Sequence, residues 1–204
     1  MLQNTQTKKD PSKIHLPEFD YSIFNKSEKI GNDPKKILEK VGVKTNDIIV
    51  DFGCGSGFYT IEAAKIAGND GKVFAVDINR DILDHLKQKS IESGLRNIYG
   101  IKADLEKEDS TGLDENLVDV ALMMNLLYLV KNKEILLKEA YKILKSNGKL
   151  VIMEWSEKGN LNMLEKEELV KGKEIKELAI RIGFKKIMAF EAGIAHEVQV
   201  FIKS

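Results

Sequence analysis

The chain alternates between short apolar runs and longer segments in which apolar residues recur at helical spacing. Helical spacing begins near Gly57, Asn79 and Lys133. Strands that alternate with helices in this way predict an α/β protein with a parallel sheet. The apolar runs predicted to be buried strands are Ile48–Phe52, Lys72–Asp77, Asn97–Lys102, Leu117–Met124 and Lys149–Glu154.

The two ends of the chain extend this pattern. Asp33-Pro34 is typical of an N-cap and first helical residue, and predicts a helix that runs to about Val41. Near the C-terminus, a helix is predicted over Glu174–Ile182, followed by closing strands over Phe184–Phe190 and Glu197–Ile202.

The turn after the first predicted strand contains three glycines at alternate positions, directly after Asp51. Glycine allows a sharp turn and lets a ligand lie against bare backbone, and the following helix offers unpaired N–H groups. The position after Gly57 is the bulky Phe58, so the pattern is not the G-x-G-x-x-G of dinucleotide folds. Asp51 would repel a pyrophosphate and attract an ammonium group. An NAD-linked oxidoreductase is therefore disfavoured.

A second acid ends the next strand. Asp77 lies 20 residues after Gly57. At this distance from the glycine turn, nucleotide-binding α/β folds place a carboxylate that binds the ribose hydroxyls. A carboxylate can accept hydrogen bonds from both vicinal hydroxyls, and the neighbouring Ile78 offers an apolar face to an adenine ring. The alternative is that Asp77 caps the next helix. The ribose role is favoured because of the spacing from the glycines.

The run Asp51-x-Gly53-x-Gly55-x-Gly57 resembles the first motif of class I S-adenosylmethionine-dependent methyltransferases. The similarity extends over 33–204 and is strongest to the small-molecule members of the type 11 and ubiquinone/menaquinone-biosynthesis-like group. It implies an S-adenosylmethionine-binding domain over 33–204. The expected fold is a Rossmann-like, seven-stranded, mostly parallel sheet with helices on both faces and a C-terminal antiparallel hairpin strand.

The resemblance also implies a set of cofactor-binding residues. The pair Ala103-Asp104 is expected at the adenine, although an ordinary turn aspartate is the alternative. Cys54 is expected to be present for its small size rather than as a nucleophile. The full set is Asp51, Gly53, Cys54, Gly55, Gly57, Asp77, Ile78, Ala103, Asp104 and Asn125.

The stretch Asn125-Leu126-Leu127-Tyr128 lacks the two prolines of methyltransferases that act on base amino groups, which favours a small-molecule acceptor. Asn125 and Tyr128 are expected either to contact cofactor or substrate or to cap the next helix. Trp155, at the end of the fifth strand, would line the substrate pocket or pack in the core.

Residues 11–32 carry apolar side chains without periodicity, and segment 1–32 is predicted to be a strap over the core or a lid over the site. Tyr21 and Phe24 of this segment are candidate substrate contacts. No catalytic residue is assigned, because a sulfonium methyl needs mainly an aligned nucleophile. If a base is required, the candidates are His196, His15 and Glu154.

Composition narrows the function further. The 204 residues carry 32 Lys plus Arg and 32 Asp plus Glu, and this balance argues against a nucleic-acid partner. The single cysteine excludes an intrachain disulfide, and no metal site is expected. No apolar run approaches a membrane span, so a cytoplasmic protein is expected.

An RNA or protein methyltransferase and a non-catalytic S-adenosylmethionine-binding module remain alternatives, and the oligomeric state is not predicted.

Overall fold

The computed structural model describes residues 33–156 and 170–204. The described helices are α1 (Pro34–Lys40), α2 (Phe58–Ala67), α3 (Arg80–Glu92), α4 (Lys133–Ile143) and α5 (Gly172–Ile182). The described strands are β1 (Ile48–Phe52), β2 (Lys72–Asp77), β3 (Ile98–Lys102), β4 (Val118–Met124), β5 (Leu144–Trp155), β6 (Phe184–Ala192) and β7 (His196–Lys203). Only β5 begins well before its predicted start, because Leu144 already pairs with Val118 ahead of an irregularity in the ladder.

The seven strands form one sheet in the order β3-β2-β1-β4-β5-β7-β6. β1 to β5 pair in parallel, and β7 runs antiparallel to both β5 and β6. The expected sheet with its C-terminal hairpin is confirmed. The strand order reverses at β1, which lies between β2 and β4, and open α/β sheets bind ligands at the carboxyl ends of the strands beside such a reversal.

Helices cover both faces of the sheet, as expected. On β1, Ile49 packs in the cluster that includes α1 and α2, whereas Val50 and Phe52 pack in the cluster that includes α4 and α5. α3 packs near α2, where Leu83 and Leu86 join a third cluster. Since successive residues of a strand point to opposite faces, the continuous apolar run of β1 follows from burial on both sides.

Three helices begin at capping side chains. Asp33 accepts from Lys36 N at the start of α1, and Asn79 accepts from Asp81 N at the start of α3. Asn132 caps α4 by accepting from Ile135 N. Asn79 rather than Asp77 therefore caps α3, and neither Asn125 nor Tyr128 caps α4, so these alternatives from the sequence are wrong.

Segment 1–32 lies outside the described residues, and with it the predicted strap or lid, Tyr21, Phe24 and His15. Among the helices of the described ranges, none has the length and apolar character needed to cross a membrane.

Candidate functional site

Polar side chains lie at or near the carboxyl ends of four neighbouring parallel strands, at the same edge of the sheet. Asp51 lies in β1, Asp77 ends β2, Asn125 follows β4 and Glu154 lies next to the last residue of β5. The carboxyl ends of parallel strands share one edge, which places these residues along the crevice where the strand order reverses.

The glycine turn joins β1 to α2 with left-handed backbone at three positions. Gly53, Gly55 and Gly57 have φ of 66°, 49° and 78°, a region that L side chains rarely adopt. Cys54 N donates to Val76 O at 3.0 Å, which continues the β1–β2 pairing into the turn. Gly57 is the N-cap of α2 and provides no side-chain cap for the first amides of that helix.

The space around each glycine differs. A Cβ on Gly53 would lie 2.6 Å from Leu126 Cδ1, and a Cβ on Gly57 would overlap Leu86. A Cβ on Gly55 would meet only Gly53 O, at 4.0 Å, and would otherwise point into open space. Gly53 and Gly57 are therefore required by packing within the protein. Gly55 presents bare backbone to the crevice.

Asp77 holds this bare backbone in place. Its Oδ2 accepts from Gly55 N at 3.2 Å, and its Oδ1 accepts from Asn79 N at 2.9 Å. Burial raises the pKa of Asp77, and these two backbone hydrogen bonds oppose that rise. Ile78, the next residue, is 47% exposed, which is unusual for a large apolar side chain beside a buried acid.

Ala103 and Asp104 lie beside Asp77, at the end of β3. Ala103 N donates to Asp77 O at 3.1 Å, and Ala103 is buried. Asp104 Oδ1 accepts from Glu106 N at 3.1 Å, and its Oδ2 lies 3.3 Å from Lys107 Nζ. The expected adenine pair is thus next to the expected ribose carboxylate.

Asp51 is almost completely buried, and the Thr60 hydroxyl donates to its Oδ2. Burial raises the pKa of Asp51 to about 7, the Thr60 hydrogen bond lowers it in part, and the charge of Asp77 raises it further. The side chain therefore exchanges a proton near neutral pH when no cation is beside it. Thr60 was not foreseen from the sequence. The feature of the sequence that could have indicated Thr60 is a polar residue on the buried face of α2, one turn after the glycines.

A small cavity of about 30 Å³ lies beneath the glycine turn. Its lining residues are Asp51, Gly53, Cys54, Gly55, Ser56, Phe58, Tyr59, Met124 and Asn125. Asn125 has left-handed backbone, with φ of 55°, and its N–H donates to Met153 O at 2.7 Å. The buried Asn125 Oδ1 receives no hydrogen bond from any described residue. The cavity thus has room for a small polar group, with one carboxylate and one unpaired acceptor in its wall.

Glu154 is also buried, and its Oε1 accepts from Leu126 N at 3.0 Å and Leu127 N at 2.6 Å. Burial raises the pKa of Glu154 to about 8, although both backbone hydrogen bonds and the charge of Lys133 lower it in part. The residue that the sequence offered as a candidate base thus binds the backbone of the turn after β4.

The other candidates from the sequence are mostly buried. The rings of Trp155 and His196 lie 4.2 Å apart between centroids, both residues are almost fully buried, and burial lowers the pKa of His196 to about 4. Cys54 is buried, which raises the pKa of its thiol. Tyr128 is half-buried in the turn after β4. Nowhere in residues 33–156 and 170–204 do three or more His, Cys, Asp or Glu side chains gather so as to hold a metal ion.

Comparison with known proteins places the chain in a family. A family model described as a methyltransferase domain matches residues 43–193. A demethylmenaquinone methyltransferase from Lactobacillus johnsonii is 32% identical over 128 residues, 62% of this chain and 51% of that protein. A ubiquinone/menaquinone biosynthesis C-methyltransferase from Ectopseudomonas mendocina is 31% identical over 124 residues, 60% of this chain and 47% of that protein. The chain thus spans about half the length of these relatives.

Solved structures agree with this assignment. The crystal structure of a SAM-dependent methyltransferase from Aquifex aeolicus matches with a TM-score of 0.82 and 25% identity, covering 92% of this chain and 100% of that one. The chain belongs to the methyltransferase-domain family, and its fold is that of the class I S-adenosylmethionine-dependent methyltransferases.

Proposed function

We propose that this protein binds S-adenosylmethionine across the carboxyl ends of β1, β2 and β4 and transfers its methyl group to a small-molecule acceptor. The observation that carries the proposal is Gly55. Its backbone is held by Asp77, its φ is left-handed, and the space in front of it is open. Left-handed backbone alone accounts for a glycine with open space in front of it, as at Gly94. Gly55 differs from Gly94 because Asp77 holds its N–H and because it lines the small cavity, so a ligand can lie against its backbone.

The small cavity fits the amino-acid end of such a cofactor. An ammonium group beside Asp51 would favour the ionised carboxylate and bring its pKa down from about 7. The buried Asn125 Oδ1 would accept one of the ammonium hydrogens that the cavity otherwise leaves unsatisfied. The N-terminal amides of α2 favour a carboxylate at the same end.

The adenosine end fits the rim of the site. Each oxygen of a carboxylate has two lone pairs, so Asp77 can accept from ribose hydroxyls while it holds Gly55 and Asn79. The exposed Ile78 offers an apolar face to adenine, and Ala103 and Asp104 follow β3 on the other side. Burial of Ile78 under the ring would remove a large apolar side chain from water.

The bound cofactor would supply a methyl group on a positively charged sulfur, already activated for displacement. The described residues offer orientation more readily than proton transfer. His196 is a weak base because its pKa is lowered to about 4, and the Glu154 carboxyl is hydrogen-bonded to backbone amides. Alignment of a nucleophile with the methyl group can contribute about 7–11 kcal/mol in favourable cases.

The acceptor is proposed to be a small molecule. The relatives named above methylate demethylmenaquinone or act in ubiquinone and menaquinone biosynthesis. The balanced charge of the chain offers no basic excess for RNA.

Calorimetry with S-adenosylmethionine, S-adenosylhomocysteine and NAD tests the cofactor. Transfer of labelled methyl groups to metabolite extract, RNA or protein fractions then tests the acceptor class. We expect binding of the first two ligands and label in the metabolite fraction. Tight binding of NAD alone would contradict the cofactor assignment, and label found only in RNA or protein would contradict the acceptor class. Binding without transfer to any fraction would indicate a non-catalytic module.

A further inference from the structure

A second and much larger cavity, of about 710 Å³, lies between the first turns of α5 and the strands β5, β7 and β6. This volume falls within the roughly 300–1,000 Å³ typical of small-molecule sites. Ile152 and Ile175 give it an apolar wall, and Glu154 and Gln199 add buried polar groups to the same lining. Charged side chains complete the lining: Lys171, Lys173, Lys176, Lys186, Glu191 and Glu197. The cavity therefore has the mixed lining of a ligand pocket.

Besides Trp155 Nε1, which belongs to the other face of β5, two buried polar atoms of this lining lack partners among the described residues: Glu154 Oε2 and Gln199 Oε1. Both side chains are more than nine-tenths buried. Gln199 Nε2 donates to Gly172 O at 3.0 Å, which fixes the orientation of the amide and leaves Oε1 as an acceptor. In the β5–β7 ladder Gln199 pairs with Ile152 and Glu197 with Glu154, so Glu154 and Gln199 are diagonal neighbours on one face.

The hydrogen bonds to Glu154 Oε1 determine whether Oε2 donates or accepts a hydrogen bond. Because Oε1 accepts from two backbone amides, the proton of the neutral acid lies on Oε2, which is then a donor. The charge of Lys133 lowers the pKa of this carboxyl in part. Glu197 is its partner across the β5–β7 ladder. A hydroxyl group on a ligand can accept from Glu154 Oε2 and donate to Gln199 Oε1. An apolar molecule with one hydroxyl thus satisfies both atoms.

The other oxygen of Glu154 acts on the cofactor site. It holds the amides of Leu126 and Leu127, and Asn125 directly precedes them with its unpaired Oδ1 in the small cavity. Leu126 packs where a side chain on Gly53 would otherwise be. A shift of the Glu154 carboxyl would therefore displace both an acceptor atom for the cofactor and a side chain that packs on the glycine turn.

We propose that Glu154 is a positioning residue that couples the two cavities, and that the large cavity binds the methyl acceptor as an apolar molecule with a hydroxyl group. The inference rests on the proposed function, because it takes the small cavity as the cofactor site. Coupling through one carboxyl predicts that occupancy of either cavity strengthens binding in the other by the same factor.

Benzyl alcohol serves as the probe for the large cavity and S-adenosylhomocysteine as the probe for the cofactor site. Calorimetry measures the affinity of each probe with and without the other. Wild type is compared with Glu154→Gln, Glu154→Met and Gln199→Leu. Glu177→Gln, a charge change on the exposed face of α5, is the control.

In wild type, each probe is expected to strengthen binding of the other by about fivefold or more. Glu154→Met leaves two backbone amides without an acceptor, so it should weaken S-adenosylhomocysteine about tenfold and abolish the coupling. Glu154→Gln keeps an oxygen for those amides and should retain both properties. Gln199→Leu should weaken benzyl alcohol and leave the affinity for S-adenosylhomocysteine unchanged.

Wild-type affinity and coupling in a folded Glu154→Met variant would overturn the inference. If that variant does not fold, unaltered benzyl alcohol binding by Gln199→Leu would do so, as would a wild-type protein that binds S-adenosylhomocysteine but not benzyl alcohol. Failure of the proposed function looks different: wild type would bind neither S-adenosylmethionine nor S-adenosylhomocysteine, whether or not it binds benzyl alcohol.

Discussion

Replacement of the glycines by alanine, one at a time, should separate folding from ligand binding at the turn after β1. Gly55→Ala places a methyl group in open space, whereas Gly57→Ala drives one into Leu86. Both positions have left-handed backbone, with φ of 49° and 78°. Gly94→Ala is the matched control, because Gly94 has φ of 70°, has no atom within 4 Å of an added Cβ, and follows α3 away from the turn.

The magnitudes follow from these environments. A left-handed alanine costs about 1–2 kcal/mol, which Gly55→Ala and Gly94→Ala should share. Gly57→Ala adds the cost of overpacking against Leu86, typically about 1–3 kcal/mol. For a chain of this size each kcal/mol lowers the melting temperature by roughly 2–4 °C. Affinity for S-adenosylmethionine should fall at least tenfold in Gly55→Ala, about 1.4 kcal/mol, and stay unchanged in Gly94→Ala.

Denaturant titration gives the free energies of unfolding, and calorimetry with S-adenosylmethionine gives the affinities. Wild-type affinity in Gly55→Ala would refute the reasoning, since a ligand against that backbone cannot tolerate the methyl group. Equal stability of Gly55→Ala and Gly57→Ala would show that Leu86 does not limit the space at the start of α2.

Three further predictions concern the residues around the turn. Asp77→Ala should weaken S-adenosylmethionine at least tenfold in calorimetry, because the carboxylate holds Gly55 N and is proposed to bind ribose; unchanged affinity would remove Asp77 from the site. Ile78→Ala should weaken the same ligand severalfold with little change in melting temperature, whereas Ile91→Ala, at a still more exposed position on α3, should alter neither. The raised pKa of Asp51 stabilises the folded state fully below about pH 4, and this contribution is lost as pH rises through about 7. In denaturant titrations, the stability of wild type relative to Asp51→Asn should therefore fall by up to about 1.4 kcal/mol per pH unit across that window, and a constant difference would contradict the assignment.

Helices and strands were predictable because their signals are local. The apolar runs of β1, β2 and β4 and the spacing of α3 and α4 are set by burial on one or both sides. The order of the strands is a long-range property that periodicity does not give. The resemblance implied only a seven-stranded, mostly parallel sheet with a C-terminal antiparallel hairpin strand, and the order is seen in the structure. The sequence did not decide between Asp77 and Asn79 as the cap of α3. The helix begins at Arg80, so Asn79 occupies the N-cap position and its side chain accepts from Asp81 N.

The residues proposed for the cofactor could be picked out where they are contiguous in the sequence. Asp51 and the glycines form one short motif, and Asp77 ends the next strand. The partners that determine their chemistry are distant or ambiguous. Thr60 lies on α2 without a distinctive pattern, and Glu154 reaches the amides of Leu126 and Leu127 from 28 and 27 positions away. Burial, which raises the pKa of Asp51 and Glu154, depends on the packing of the whole sheet.

The reversal of strand order at β1 separates most residues proposed for the cofactor from those that line the large cavity. The proposed cofactor residues come almost entirely from 48–104, whereas the large cavity is built from residues after 150. The halves meet in the sheet at one parallel ladder, from Ile49 against Val120 to Phe52 against Met123. A chimera that keeps residues up to 116 and takes the remainder from a methyltransferase relative exchanges the large cavity together with Asn125 and Glu154. Where the relative supplies equivalents of these two residues, we expect the chimera to bind S-adenosylmethionine and to accept the substrate of the relative. The proposed acceptor pocket would then be transferred as one contiguous segment.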